Sequence, residues 1–308
     1  MIIVFGANGF IGSYLVKELL NQDFVVCPVD IVGEGLKVDI ANWSSFKQLP
    51  INNISCVVNL ACFQPCKAKG KVRSDKYTDA NSLGVEYILN FCLLNNIPKF
   101  IHTVSYRGVQ ALWNGKYKIK EGDIKALPLY NEFTPYAISE SLALQYIVEK
   151  QGLNSIIFRI PSVFGFGGHM EGFKQGKPFT TGLKTFIDNA IEGKEIKVFG
   201  DVTKKRPFIA VQDVVSAIIL GIKSDKVHGL YNLAYDKPLS LQEEVEQIID
   251  VFDPNRKCDI EYQPDIPNNI EPFRVDNSKV KKELGWQPRY SFKDILVDYK
   301  RELCNLKD

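Results

Sequence analysis

The run Gly6-Ala7-Asn8-Gly9-Phe10-Ile11-Gly12 follows a short apolar stretch, Ile2–Phe5, and opens a segment whose apolar residues recur at helical spacing. A chain that turns sharply from strand to helix needs glycine at the bend. It needs another where the backbone must approach a pyrophosphate without a Cβ, and another where helix and strand pack closely. The start of such a helix offers unbonded N–H groups and a positive dipole end to a diphosphate. Asp30 stands 18 residues beyond Gly12, at the end of the second apolar run. A carboxylate there accepts hydrogen bonds from both adenosine ribose hydroxyls and repels a 2′-phosphate. No arginine follows Asp30, so these residues favour NAD over NADP. The competing reading is a plain tight turn in which Asp30 serves as a cap.

The elements that must position this turn are legible in the alternation of the chain. Ile2–Phe5, Phe24–Val29, Ser55–Leu60, Lys99–Val104 and Ser155–Ile160 are rich in valine, isoleucine and phenylalanine and each lasts about one strand. Between them, Ile11–Leu20, Asn42–Gln48, Thr78–Leu94 and Tyr136–Lys150 carry helical periodicity. Continuous apolar strands alternating with helices predict an α/β fold, a Rossmann-type doubly wound parallel sheet covered on both faces. We expect it to span residues 1–160, with a segment at about 206–234 returning to it. After Ile160 the rhythm changes: Pro161 through Pro178 holds five glycines and reads as a loop. Strand-like and helical pieces follow at Ile196–Phe199, Phe208–Ile222, Leu230–Ala234, Leu241–Phe252, Asp259–Tyr262 and Ser278–Leu284. Punctuated by Pro254, Pro264, Pro267 and Pro272, they predict that residues 161–308 form mainly a smaller C-terminal α/β substrate domain.

Composition excludes several classes of function. The net charge of +2 gives no electrostatic case for nucleic acid or a membrane surface, although the local stretches Lys67–Lys71 and Lys204–Arg206 suffice for an anionic ligand. No stretch approaches the roughly 20 apolar residues that cross a bilayer, and Met1–Phe5 passes straight into glycines with no leader-like pattern. The seven cysteines are odd in number and mostly sit in apolar runs, as buried thiols in a reducing compartment would. Cys62 and Cys66 are the one close pair, and with three histidines in the chain no metal site is expected. The expectation is a cytoplasmic protein.

The glycine spacing, G-x-x-G-x-x-G, resembles that of the short-chain dehydrogenase/reductase superfamily, and further motifs in order resemble its extended branch, the NAD-dependent epimerase/dehydratase family acting on nucleoside-diphosphate sugars. Asp39-Ile40 matches the pair that contacts adenine, and Asn59-Leu60-Ala61-Cys62 is similar to the strand end beside the cofactor. Asn81-Ser-Leu-Gly84 matches an N-x-x-G helix, Phe100–Ser105 the strand bearing the active-site serine, and Thr134-Pro-Tyr136 the segment bearing the catalytic tyrosine. Arg159-Ile-Pro161-Ser162-Val-Phe-Gly165 resembles R-x-x-N-v-y-G, and Phe208–Val214 resembles D-F-I-H-V-x-D-V. Lys-Glu-Leu-Gly-Trp-Gln-Pro, ending at Pro288, is close to the C-terminal L-G-W-x-P signature. The resemblance implies cofactor contacts from Gly6, Asn8, Gly9, Phe10, Ile11, Gly12, Asp30, Asp39, Ile40, Leu60, Ala61, Asn81, Tyr136 and Pro161.

It also implies a reaction in which hydride leaves a sugar carbinol while a tyrosinate takes the hydroxyl proton. Tyrosine has a reference pKa of about 10, so a lysine one helical turn away normally lowers it and holds the nicotinamide ribose, while a serine or threonine bonds the substrate oxygen. By position Ser105 is the serine, Thr103 a helper and Tyr136 the tyrosine. Four residues after Tyr136, on the same helix face, stands Glu140 instead of lysine. A carboxylate can still accept from a ribose diol, but its charge raises a neighbouring phenol's pKa. Three readings compete: Glu140 is protonated or turned away while Arg107, Lys204 or Lys205 replaces the lysine; a different base acts; or the protein binds NAD and a sugar nucleotide with little turnover. A solvated Glu140 beside an inert Tyr136 is the bland alternative.

For the substrate, Ser162 stands where many epimerases use asparagine, and Arg206 matches the arginine that binds the diphosphate. Arg274 is the nearest match to a second arginine. Val198-Phe199 could flank a nucleobase, though a core strand explains them equally well. Thr103-Val104-Ser105 carries no carboxylate, which argues against the acid–base pair of a dehydratase. The leading expectation is an NAD-dependent nucleoside-diphosphate-sugar 4-epimerase. The alternatives are a 4-ketoreductase and a catalytically weak binding protein. Family analogy implies a homodimer through Thr78–Leu94 and Tyr136–Lys150.

Overall fold

The computed structural model describes residues 1–64, 74–124, 134–149, 152–168, 170–174, 177–268 and 270–306. The Lys67–Lys71 stretch and Cys66 therefore lie outside the described residues, as does Lys150. Seven parallel strands form the main sheet, in the order Gly229–Asn232, Asn154–Ile160, Lys99–Ser105, Cys56–Asn59, Ile2–Phe5, Val26–Asp30, Leu36–Lys37. The chain starts in the interior of the sheet, runs to one edge, and crosses back to build the other half. The reversal leaves a crevice at the carboxyl ends of Ile2–Phe5 and Cys56–Asn59, where α/β sheets of this topology take their ligands.

Side chains alternate along each strand, and the two sheet faces divide them cleanly. Ile3, Phe5, Val57, Phe100 and Ile157 join one core with Val85, Ile88 and Leu89 of helix Gly84–Leu94 and Ala143, Leu144 and Ile147 of helix Thr134–Glu149. Ile2, Val4, Val58, Ile101 and Phe158 join the other with Leu15 and Leu19 of helix Phe10–Asn21 and Val214 and Ile218 of helix Val211–Lys223. Burial on both faces explains why the strands read as unbroken apolar runs. Trp286 completes the second core: it is 1% exposed, and its Nε1–H donates to the Asp213 carbonyl and to Ser216 Oγ, both at 3.0 Å. The Asp213 carboxylate in turn accepts from the Arg289 and Tyr290 amides.

A second lobe forms around Ile187, Val198, Phe208, Val245, Ile248 and Ile295. Helices Gly182–Glu192, Leu241–Phe252 and Phe292–Asn305 supply much of it, together with the parallel pair Ile196–Phe199 and Ile260–Gln263.

Several local expectations need correction. The segment read as a loop contains strand Ser162–Phe164, paired with Phe208–Ala210, and an antiparallel hairpin, Glu171–Lys174 with Lys177–Thr180. Gly165, Gly167 and Gly168 sit at the bends and turn that follow strand Ser162–Phe164. Thr78–Leu94 is not one regular helix: a π-helical turn at Asp79–Leu83 precedes Gly84–Leu94. Asn42–Gln48 becomes a 3₁₀ turn at Trp43–Gln48, capped by the Asn42 side chain accepting from Ser44 N–H. Helix Phe292–Asn305, unanticipated, is announced by the reciprocal Ser291 and Asp294 cap.

Candidate active site

The glycine turn lies at the sheet crevice. Gly6 has φ +75°, and a Cβ there would fall 2.6 Å from the Ala61 amide nitrogen. At Gly12 a Cβ would fall 2.0 Å from the Gly6 carbonyl oxygen. The turn closes only because both positions lack a side chain. No side chain caps helix Phe10–Asn21, and the start of a helix is where backbone N–H groups and the dipole favour an anion. Asp30 ends its strand nearby, its carboxylate accepting from the Asn8 amide at 2.9 Å and the Ile31 amide at 2.7 Å. Asn8 Nδ2 donates to the Val32 and Glu34 carbonyls, fixing the loop beyond Asp30. A helix start with no side-chain cap, a cradle that side chains would fill and an acid at the next strand end together fit NAD.

A cavity of about 700 Å³ extends from Gly6, Asn8, Gly9, Phe10, Ile11 and Gly12. Its far end is lined by Thr103, Ser105, Tyr136 and Glu140, with Leu60, Pro161 and Ser162 along the way. Strand Lys99–Ser105 delivers Thr103 and Ser105 on one side of its alternation, and helix Thr134–Glu149 delivers Tyr136 and Glu140 one turn apart. The Ser105 hydroxyl oxygen accepts from the Arg107 amide at 3.1 Å. Its hydrogen remains available to a ligand oxygen.

Glu140 is neither solvated nor turned away. It is 4% exposed, and its Oε2 accepts from the Ser105 backbone N–H at 3.0 Å. Burial pushes its carboxyl up to about 7, against the opposing effect of that N–H. At neutral pH a large share of it is therefore uncharged. The cations considered as stand-ins for lysine do not line this cavity. Arg107 pairs with Glu271 at 3.6 Å and lies over the Trp113 ring, and Lys205 pairs with Glu243. Among the described lining residues there is no lysine or arginine, and the acids are Glu140 and Glu171.

Ser162, Val163, Gly168 and Met170 also line a second cavity of about 560 Å³, so the two cavities are neighbours that share part of a wall. Phe186, Phe199, Asn268 and Ile270 form much of its wall, and Arg206 enters it paired with Glu244 at 2.7 Å. Val198 does not reach it. That residue is 0% exposed in the core, because strand alternation turns its neighbour Phe199 outward instead. Arg274 is exposed on the short strand Arg274–Val275 and lines neither cavity.

Three other expected residues take structural partners. Asn81, 1% exposed, bridges Phe63 and Ser139 with its side-chain amide. Ile40 packs into the core against Gly84, and Asp39 accepts from the Ala41 amide. Ala61 adjoins Gly6 but is not among the lining side chains. Sequence reading missed Glu244 and Glu171. Glu244 lies 38 residues from Arg206, and no local pattern announces such a pairing.

Comparison with known proteins agrees with this geometry. The family model described as "NAD dependent epimerase/dehydratase family" matches residues 2–234. The chain is 22% identical to the dTDP-4-dehydro-6-deoxyglucose reductase of Escherichia coli, covering 93% of this chain and 92% of that protein. In fold it resembles the UDP-glucose 4-epimerase of Thermus thermophilus, solved in complex with NAD, with TM-score 0.76, 19% identity and coverage of 97% and 98%. It also resembles the UDP-glucose 4-epimerase of Thermotoga maritima, solved with UDP-glucose, with TM-score 0.77, 19% identity and coverage of 98% and 99%. Reductase and epimerase stand side by side among these relatives, so the likeness fixes the family and its cofactor rather than the reaction. A glycine cradle that closes only without side chains, a serine and a tyrosine at the far end of the same cavity, and a match over residues 2–234 identify the chain as a member of the NAD-dependent epimerase/dehydratase family.

Proposed function

We propose that the protein is a nucleoside-diphosphate-sugar epimerase, most simply a 4-epimerase. The observation that carries this reading is that two neighbouring cavities share lining residues Ser162, Val163, Gly168 and Met170. One joins the glycine turn to Thr103, Ser105, Tyr136 and Glu140, and the other holds Arg206. A sugar placed where they meet has a nucleotide arm reaching toward Arg206 and a ring carbon beside Tyr136. The residues to hold NAD are the glycine turn, the start of helix Phe10–Asn21 and Asp30; bound there, the cofactor supplies a reversible hydride acceptor. The Ser105 hydroxyl, whose oxygen already accepts from the Arg107 amide, donates to the sugar oxygen. The Tyr136 phenolic oxygen takes the carbinol proton and later returns it.

Glu140 does not supply the positive charge that a lysine would. In its protonated form it adds no negative charge to oppose the ionisation of Tyr136, and one oxygen still accepts from Ser105 N–H. That bond holds the end of the strand on which the Ser105 hydroxyl depends. Catalysis on this reading is best where Glu140 keeps its proton. The absence of a cation among the described lining residues favours one second reading, an NAD- and sugar-nucleotide-binding protein with little turnover.

The test is to incubate the purified protein with UDP-, GDP-, CDP- and dTDP-hexoses and trace NAD, following epimers by NMR. Interconversion of two epimers without net NADH supports the epimerase. Stoichiometric loss of NADH on 4-keto sugars makes it a reductase. Tight NAD binding with no product from any sugar leaves the binding reading.

A further inference from the structure

We infer that Glu244 is a positioning residue for Arg206, holding its guanidinium at a fixed place in the second cavity to meet the diphosphate of the ligand. This rests on the reading of that cavity as a nucleoside-diphosphate site. Arg206 lies on the two-residue strand Lys205–Arg206, which pairs with Leu239–Ser240. Helix Leu241–Phe252 begins directly afterwards, and Ser240 and Glu243 close a reciprocal cap on it. The ladder and the cap thus set the start of the helix against the arginine's strand. Glu244, in the first turn, places its carboxylate 2.7 Å from the Arg206 Nη2, and both side chains line the cavity.

Exposure distinguishes the two partners. Glu244 is 1% exposed, whereas the Arg206 side chain is 30% exposed. A buried carboxylate that loses its one cation is left with an uncompensated charge, so the pair resists separation. Arg206 therefore cannot swing out to follow a ligand. Among the described residues its guanidinium donates only to Glu244, which leaves further N–H groups to the cavity. The neighbouring Lys205–Glu243 pair, at 2.9 Å, spends the adjacent cation outside the cavity. A guanidinium already oriented by a carboxylate loses less freedom when a phosphate arrives. The same pairing cancels the arginine's charge, so recognition depends on donor geometry rather than on net attraction.

The competing role for Glu244 is that of a rival, a carboxylate that the phosphate must displace. The two roles predict opposite signs. Binding of UDP, GDP, CDP and dTDP is measured by calorimetry on the full chain, wild type and Glu244→Leu, with NAD affinity and thermal melting as controls of the fold. Leucine fills the buried space without an acceptor. Glu244→Leu is expected to weaken the best-bound nucleoside diphosphate about ten-fold, the scale of one lost charge-assisted hydrogen-bond geometry. Glu244→Gln, whose amide oxygen still accepts from Arg206, is expected to restore affinity to within about three-fold of wild type. The double variant Arg206→Ala/Glu244→Leu should bind no more weakly than Arg206→Ala alone, because Glu244 acts through the arginine. Unchanged or tighter binding by Glu244→Leu overturns the inference. Should that variant fail to fold, a ten-fold tightening by Glu244→Gln does the same. If wild type binds none of the four nucleotides while binding NAD, the reading of the cavity fails instead.

Discussion

Glu140 Oε2 accepts a hydrogen bond from the backbone N–H of Ser105 at 3.0 Å, tying the helix that carries Tyr136 to the end of the strand that carries the candidate serine. The carboxyl is buried, at 4% exposure, and Glu140 lines the candidate active-site cavity. On the proposed reading, this contact gives an acid a structural task at the position where the resemblance implies a lysine. The acid ties the strand end to the helix, and burial, which raises its pKa to about 7, leaves a large share of it uncharged at neutral pH.

Burial raises Glu140 from 4.5 to about 7, which links its proton to stability. Between those pH values the folded chain holds a proton that the unfolded chain releases. Its contribution is full below about 4.5, falls as pH rises, and is lost above about 7. The span corresponds to roughly 3 kcal/mol. Glu140→Gln removes this dependence while keeping an acceptor for Ser105 N–H. Urea unfolding at pH 5 and pH 8 should show a smaller decline for the variant than for wild type. Equal declines would mean that Glu140 titrates near its ordinary value.

The Asp30 carboxylate is already shaped by three backbone amides, those of Asn8, Ile31 and Val32. Asp30→Ala removes the acceptor for the ribose hydroxyls and loosens the loop after the glycine turn. NAD affinity should fall about ten-fold or more, one to two lost hydrogen bonds to a charged group. NADP binding should change less, because the repulsion of its 2′-phosphate disappears with the carboxylate. Fluorescence titration with both dinucleotides checks this; equal losses for the two would remove Asp30 from the ribose site.

The glycine turn makes a steeper prediction. A methyl group at Gly12 falls 2.0 Å from the Gly6 carbonyl oxygen, and the atom it meets is backbone. Relief requires the helix to move away from the strand. Gly12→Ala should abolish detectable NAD binding and lower the melting temperature, and wild-type NAD affinity in this variant would show that the turn is not the diphosphate cradle.

The parts of this arrangement that sequence revealed are those with local causes. The strands Ile2–Phe5 and Cys56–Asn59 are buried on both faces, so apolar runs betray them. Tyr136 and Glu140 share a helix face through spacing alone. What stayed hidden depends on partners distant in sequence. Whether Val198 or Phe199 faces the cavity is a matter of strand parity against a core that only the fold defines. Asn81 looked like a ligand contact, yet a π-helical turn rotates it inward to Phe63 and Ser139. Glu244 meets Arg206 across 38 residues, and its neighbour Glu243, which makes the cap, is the one that local rules single out.

The last prediction returns a cation to the helix position. Glu140→Lys places an ammonium one turn from Tyr136, where an opposite charge within about 4–6 Å typically lowers a phenol's pKa by one to three units. It also deletes the acceptor of the Ser105 N–H, so Glu140→Gln is the matched control for that loss. If the protein turns over a nucleotide-sugar, the pH at which activity rises should shift downward in Glu140→Lys by about one unit or more relative to Glu140→Gln. The effect should appear in the pH profile of kcat rather than in NAD affinity, since it concerns the proton on Tyr136 once the complex is formed. A lowered rate with an unmoved profile would assign Glu140 to holding the strand end alone. A profile displaced downward in both variants would instead assign the effect to loss of the carboxylate's charge, with the added ammonium making no contribution of its own.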